Sequence, residues 1–307
     1  MIFNSYLSRR RFLQTTSLVA AGAVVGKAVQ ASADSIVIDT HLHCFAGLQD
    51  ERFPYHANAP YRPAAAATPE QLLQCMDGAG VNFAIVVHPE PYQDDHRYLE
   101  HCLSVGKGRL KGVCLVFADQ PKSMEQLPKL AKRGDIVAVR MHAYAPDRLP
   151  PFGKPELRAF WKKASDLGLA VQLHLEPHYA PPLEPFIREF SQTKVIIDHL
   201  GRPFQATAEE HKVIVRWSRY PNTVMKIAAL PSASEYPYRE IGPIIKQLTD
   251  AYGADRMIYG GGFGPTATPT SYRTARENVR SYLSYLTPTE QAKILGLTAG
   301  KLFGFAH

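Results

Sequence analysis

The chain has 307 residues, 45% hydrophobic and 21% charged, which supplies a sizeable core and excludes a disordered chain. Its formal net charge is +7, but Arg9, Arg10, Arg11 and Lys27 fall within the first 33 residues, and without these four, 31 basic residues stand against 28 acidic ones, a net +3. No Lys/Arg-rich patch with interleaved aromatics remains, so a nucleic-acid partner is not expected.

Ser8-Arg9-Arg10-Arg11-Phe12-Leu13 precedes an apolar run too short to span a bilayer comfortably, and residues 1–33 read as a twin-arginine export signal. Ala31-Ser32-Ala33 has the small-x-small form that a signal peptidase accepts. The mature chain is therefore expected to begin near Asp34 and to work in the periplasm or outside the cell, with an uncleaved anchor helix as the alternative. Cys44, Cys75, Cys102 and Cys114 form no CxxC pair, which argues against a structural zinc site or a disulfide framework; a single bridge such as Cys75–Cys102 stays open.

From Ser35 onward, short apolar and β-branched runs alternate with amphipathic stretches, the pattern of βα units around a parallel sheet. The predicted strands cover residues 36–43, 82–90, 110–117, 136–143, 169–177, 194–203, 222–230 and 256–264. Thr68-Pro69-Glu70 caps an apolar series (Leu72, Leu73, Met76) that stops at Gly78 and Gly80, and helical spacing recurs in KPELRAFWKKASDLG, TAEEHKVIVRWSRY and SYRTARENVRSYLSYL. Eight such units in about 270 residues is the size of one (β/α)8 barrel over residues 34–307, closed by a C-terminal helix. A doubly wound open sheet would place a Gly-rich nucleotide turn after the first strand, where His41-Leu42-His43 stands instead.

Chemistry in such a barrel gathers at the C-terminal ends of the strands. Strand one ends with His41 and His43, strand two with His88 and Glu90, strand four with Arg140 and His142, strand five with His174 and Glu176, and strand six with Asp198 and His199. Two apart on one strand, His41 and His43 project to the same side, with Asp39 one step lower on that face. Together with His174 they make three nitrogen ligands of the kind a catalytic zinc uses with an open fourth position. His199 is placed to orient a water or polarise a carbonyl. Any one of these alone would more often be a hydrogen-bonded core histidine; four at equivalent depth point to a functional cluster.

IDTHLH, VQLHLE, DHLGRP and the strand-eight segment followed by a terminal KLFGF closely resemble the amidohydrolase superfamily, in its amidohydrolase-related branch. The stretches FPYHANAPYRPAAAATPEQLLQCMDGAGV and PYQDDHRYL, with DHLGRP, are most similar to its 2-pyrone-4,6-dicarboxylate lactonase and sugar-lactonase group. The resemblance implies hydrolysis of a lactone or related cyclic ester. The pyrone lactonase of that group works without a metal, some sugar lactonases carry zinc, and decarboxylases sit nearby. His41, His43, His174 and His199 match the family histidines of strands one, five and six. Arg140 stands where other amidohydrolases carry a carbamylated lysine, so a two-metal site is not expected, while a single divalent metal such as zinc on His41, His43 and His174 stays open. Its planar fork suits a substrate carboxylate, or an ion pair in the mouth such as one with Glu176.

The family's strand-eight motif reads Gly-Ser-Asp-aromatic-Pro, and its Asp is the general base that takes the proton of the attacking water. Here Tyr259-Gly260-Gly261-Gly262-Phe263 puts Gly262 at that position. General-base assistance contributes about 10²–10⁴-fold, so its loss is a large handicap unless a substitute exists. Glu176 and Glu90, at the tops of strands five and two, are the candidate acids; the three glycines also open volume and expose N–H groups that can receive an anionic ligand. The long loop after strand one carries Tyr55, His56 and Tyr61, and LPSASEYPYRE follows strand seven; both are candidate lids. The expectation is an exported lactonase-like hydrolase of a small lactone or carboxylate, with His41, His43, His174, His199 and Glu176 as its catalytic set and Arg140, His142 and Tyr55 binding substrate. A barrel that binds without turnover and a decarboxylase are the alternatives.

Overall fold

The structure, a computed structural model, describes residues 36–230, 234–235 and 239–305. The expected export signal, and most of the loop after strand seven, lie outside them. Eight parallel strands follow one another around a single sheet: β1 Ile38–Leu42, β2 Phe83–Val87, β3 Leu110–Leu115, β4 Ile136–Ala143, β5 Ala170–Leu175, β6 Val195–Ile197, β7 Thr223–Ile227 and β8 Met257–Tyr259. The outer layer is α1 Pro69–Ala79, α2 Arg97–Gly106, α3 Pro121–Met124, α4 Leu127–Ala131, α5 Pro155–Asp166, α6 Glu184–Glu189, α7 Ala208–Arg216, α8 Gly242–Tyr252, α9 Pro269–Tyr282, α10 Pro288–Ala292 and α11 Thr298–Phe303. This is the expected (β/α)8 barrel, nearly closed. Among the described residues no helix is long and apolar enough to cross a membrane.

Local signals set the helix ends. The Thr68 hydroxyl accepts from the Gln71 N–H at 3.2 Å, Pro69 occupies the first turn, and Gly80 stops α1 in the left-handed region at φ 70°. Thr207 and Glu210 cap α7 reciprocally. The four cysteines are buried free thiols, so the Cys75–Cys102 bridge left open by the sequence is not formed.

Packing falls into two shells. Ile38, Ile85, Val113, Ala138, Ala170, Ile196, Val224 and Ile258, one from each strand, form the barrel interior together with Phe303 and Phe305 of the C-terminal segment, which plugs the lower end. The opposite strand faces pack on the helices around Trp161, Trp217 and Leu72. Because side chains alternate along a strand, two residues above that apolar ring come Arg140, Gln172, Asp198 and Lys226, all buried. One step higher, His142 on β4 pairs in register with His174 on β5.

β1 breaks this alternation. Its register with β2 shifts between Asp39 and Leu42, and Leu42 belongs to the outer shell although Ile38 belongs to the inner one. The irregularity turns His41 and His43 toward the mouth. Asp39 does not share their face as expected. Its carboxylate accepts from the Tyr272 hydroxyl of α9 at 2.6 Å and from the N–H groups of His41 and Gly261 at 2.8 Å each. Among the described residues no backbone ladder joins β8 to β1; Asp39 on Gly261 and the Thr40 hydroxyl on the Tyr259 carbonyl, at 2.6 Å, close that junction.

The strand-eight glycines follow from this closure. A Cβ on Gly260 would lie 2.6 Å from the His41 backbone nitrogen, so β8 reaches β1 only without a side chain there. β6 is also shorter than expected. It ends at Ile197, and Asp198–Gly201 forms a tight turn in which His199 and Leu200 have φ of 55° and 57°, followed by Arg202 at 51°.

Candidate active site

A cavity of about 450 Å³ opens at the C-terminal end of the barrel, lined by His41, His43, His174, His199, Arg140 and Arg202 among others. The fold thus brings the four expected histidines together. The His41 ring centre lies 5.2 Å from that of His43 and 4.5 Å from that of His199, and His174 lies 5.2 Å from His199. His199 reaches the mouth because of its left-handed turn rather than from a strand. Non-glycine residues in that region cost about 1–3 kcal/mol each and persist where surroundings over-determine them. Here the His211 imidazole, 2.8 Å from the Leu200 carbonyl, helps to hold the turn.

Two of the imidazoles, His43 and His199, are oriented by a backbone carbonyl on their other nitrogen. Nδ1 of His43 meets the Val87 carbonyl at 2.7 Å and Nδ1 of His199 meets the Ala228 carbonyl at 3.2 Å. A carbonyl only accepts, so both Nδ1 atoms carry the proton and both Nε2 atoms are lone-pair acceptors. Burial pushes His43 down to about 3, with Arg140 adding to it, and burial pushes His199 down to about 4 against the pull of Asp198. His41 and His174 are lowered for the same first reason, burial. All four are neutral near pH 7.

Beneath them sits a charged layer in which Arg140 and Asp198, expected at the strand ends, are joined by Gln172 and Lys226, which were not. Asp198 accepts from Nε of Arg140 at 3.2 Å and from Nε2 of Gln172 at 3.0 Å on one oxygen, and its other oxygen lies 3.1 Å from Nζ of Lys226. Arg140 therefore forms an ion pair in the mouth, but with Asp198 and not with Glu176. A lysine inside the apolar run VMKIAAL was the available signal, since lysine is almost never fully buried unpaired.

The remaining expected residues are distributed differently. Glu176 is not among the cavity-lining residues; it pairs with Arg202 at 3.3 Å and approaches His178 at 3.5 Å. Glu90 does line the cavity. Burial alone would raise its carboxyl, but His142, the Tyr144 hydroxyl at 2.7 Å and Arg148 at 3.0 Å outweigh it and hold the group at about 2. His142 contacts Glu90 at 3.2 Å and lines an adjoining cavity of about 340 Å³ that also touches Arg140. Tyr55 donates its hydroxyl to the Pro63 carbonyl at 2.9 Å and packs on Tyr92, while Tyr61 is the residue of that loop that lines the mouth.

Gly262 also lines the cavity, but it is not a vacated aspartate position in the simple sense. Its φ is 113°, and a Cβ there would stand 2.7 Å from Cβ of Ala275 and 3.1 Å from the Tyr272 ring. The N–H groups of Gly260 and Gly261 are already engaged, by the Ile227 carbonyl at 2.9 Å and by Asp39.

One side-chain set among the described residues gathers as metal donors do: atoms of His41, Asp198 and His199 lie within 4.8 Å of one another. His43 and His174, expected beside His41, are not members. As a donor set these three suit a divalent ion. As arranged they do not fit one, because Nζ of Lys226 is within 3.1 Å of Asp198 and 3.4 Å of His41 Nδ1.

Residues 38–305 match the family described as Amidohydrolase. An L-fucono-1,5-lactonase of Burkholderia ambifaria is 26% identical over 234 residues, covering 73% of this chain and 78% of that protein. A solved structure from Acinetobacter baumannii, of a probable 2-pyrone-4,6-dicarboxylic acid hydrolase with citric acid bound, superposes with a TM-score of 0.73 at 22% identity over 88% of this chain and 99% of that one. An amidohydrolase from Burkholderia multivorans with bound zinc gives 0.70 at 16% identity, with coverage of 88% and 100%. The two solved structures share the fold.

Proposed function

The chain belongs to the amidohydrolase family, and from that premise we propose that it hydrolyses a small lactone bearing an anionic group. The observation that carries this reading is the ring of neutral imidazoles around a cavity of about 450 Å³ edged by Arg140 and Arg202. The lactonase relative supports the same substrate class.

In this reading Arg140 and Arg202 hold the anionic substituent and orient the ring. Water attacks the carbonyl carbon and gives its proton to Nε2 of His199, whose conjugate acid at about 4 is weaker than that of His43 at about 3, so His199 is the better proton acceptor of the two. His41, with Nδ1 accepting from Lys226, donates through Nε2 to the oxyanion. The tetrahedral intermediate then expels the ring oxygen, which takes the proton from His199, and a hydroxy acid leaves. No step runs through a metal, and zinc is not part of the proposed mechanism. Glu90 and Glu176 are each held by cationic partners and are not the base.

The test is acid release at constant pH over a panel of aldonolactones and pyrone carboxylates. Ligand binding with no acid released would identify a barrel that binds without turnover, and release of carbon dioxide would identify a decarboxylase. We also propose that residues 1–33 direct export; cell fractionation of an Arg9→Lys/Arg10→Lys variant tests it, and unchanged periplasmic yield would sink it.

A further inference from the structure

Lys226 is the barrel-interior group whose charge the hydrolysis does not consume. Its Nζ is buried and lies 2.9 Å from Oε1 of Gln172, 3.1 Å from Oδ1 of Asp198 and 3.4 Å from Nδ1 of His41. An ammonium has three N–H donors and no acceptor, and three acceptors surround this one. Two of them, Asp198 and His41, are also two of the three residues that gather as metal donors. A divalent ion drawn to those atoms meets a positive charge already at ion-pair distance from Asp198 Oδ1 and beside His41 Nδ1, and the Arg140 guanidinium 3.1 Å from the other Asp198 oxygen adds a second.

We propose that Lys226 takes the place of a metal ion in this barrel: its ammonium offsets the charge of Asp198, fixes His41 Nδ1 as an acceptor, and keeps divalent cations off the His41, Asp198 and His199 donors. Lys226 is a positioning residue in this account, because it reaches the reacting atoms only through His41. The inference stands apart from the lactone reading, since its readout is metal stoichiometry and not turnover.

The experiment uses the full chain, stripped with chelator and then titrated with zinc chloride against a chromogenic competitor, with cobalt absorbance as the coordination signature. Wild type is expected to bind zinc no more tightly than Asp198→Asn does. Lys226→Met, checked for native circular dichroism, is expected to gain one zinc per chain with affinity raised about 100-fold, the scale on which partners of metal ligands act. Adding Asp198→Asn to it should abolish the gain. The proposal is overturned if wild type already holds one zinc that Asp198→Asn removes, or if folded Lys226→Met binds zinc as weakly as wild type. Should Lys226→Met not fold, Lys226→Gln replaces it under the same criterion, and nitrogen-15 histidine spectra of wild type give an independent check. A protonated His41 Nδ1 in those spectra overturns the proposal.

Discussion

Nζ of Lys226 and Oδ1 of Asp198 lie 3.1 Å apart with both side chains closed to solvent, and the same carboxylate holds Arg140 from its other side. Burial opposes ionisation of both partners. It lowers Lys226 despite the pull of Asp198, whereas the Asp198 carboxyl, which burial alone would raise, is held well below the usual range by the cationic Lys226 and Arg140. The carboxylate is the better compensated of the two.

Removing that carboxylate leaves two buried cations facing one another. Asp198→Asn is expected to lose about 3–5 kcal/mol of stability, the usual range for breaking a buried pair. Urea unfolding measures it. A loss below about 1 kcal/mol would show that the charged layer is hydrated rather than sealed.

Restoring an acid at Gly262 is expected to fail. Gly262→Asp combines a left-handed φ of 113° with a Cβ 2.7 Å from Ala275, and the two penalties are each about 1–3 kcal/mol. Thermal unfolding of Gly262→Ala isolates the backbone and Cβ penalties from the carboxylate. A folded Gly262→Asp with raised kcat would refute both the packing argument and the assignment of His199 as proton acceptor.

His199→Gln is expected to lower kcat about 10²–10⁴-fold with a small change in KM, while Glu176→Gln lowers it less than about threefold. The contrast rests on position: His199 lines the cavity, and Glu176 pairs with Arg202 outside its lining. Steady-state kinetics of the two variants decide it. The reverse ranking would make Glu176 the base.

Stability is expected to fall as pH drops from about 6.5 toward 4. His43 and His199 sit at about 3 and about 4 in the folded chain against an ordinary 6.5, and His41, His88, His142 and His174 are lowered too. The unfolded chain takes up protons first, so the contribution is present above 6.5 and is lost as pH falls toward the folded values. Asp39, raised to about 6 by burial, works in the opposite sense over part of that range, but it is one group against eight, since burial lowers His96 and His211 as well. Melting temperatures from pH 8 to 4 provide the check, and a flat or rising profile at acid pH would contradict the buried neutral imidazoles.

The barrel was legible because each strand announces itself by composition and each helix by its cap, as Thr68 and Gly80 show for α1. The histidines were legible because strand ends map onto the mouth. What escaped depends on geometry that spacing does not encode. The displaced register of β1 turns the Asp39 carboxylate onto the His41 amide and the Tyr272 hydroxyl instead of beside the His41 imidazole, and the left-handed turn places Asp198 and His199 on the same side although they are adjacent in sequence. Lys226 was missed because β7 was read for its apolar character alone; stepping by two from Val224 reaches it.

The junction between β8 and β1 gives the molecule the character of a hoop with a clasp. Seven strand neighbours are laced through their backbones, and the eighth is fastened by two short side chains, Asp39 and Thr40. Asp39 also grips the His41 amide and the Tyr272 hydroxyl. Unfastening the hoop and misaiming the His41 imidazole are consequently the same event, and a ligand that immobilises His41 tightens the clasp from inside.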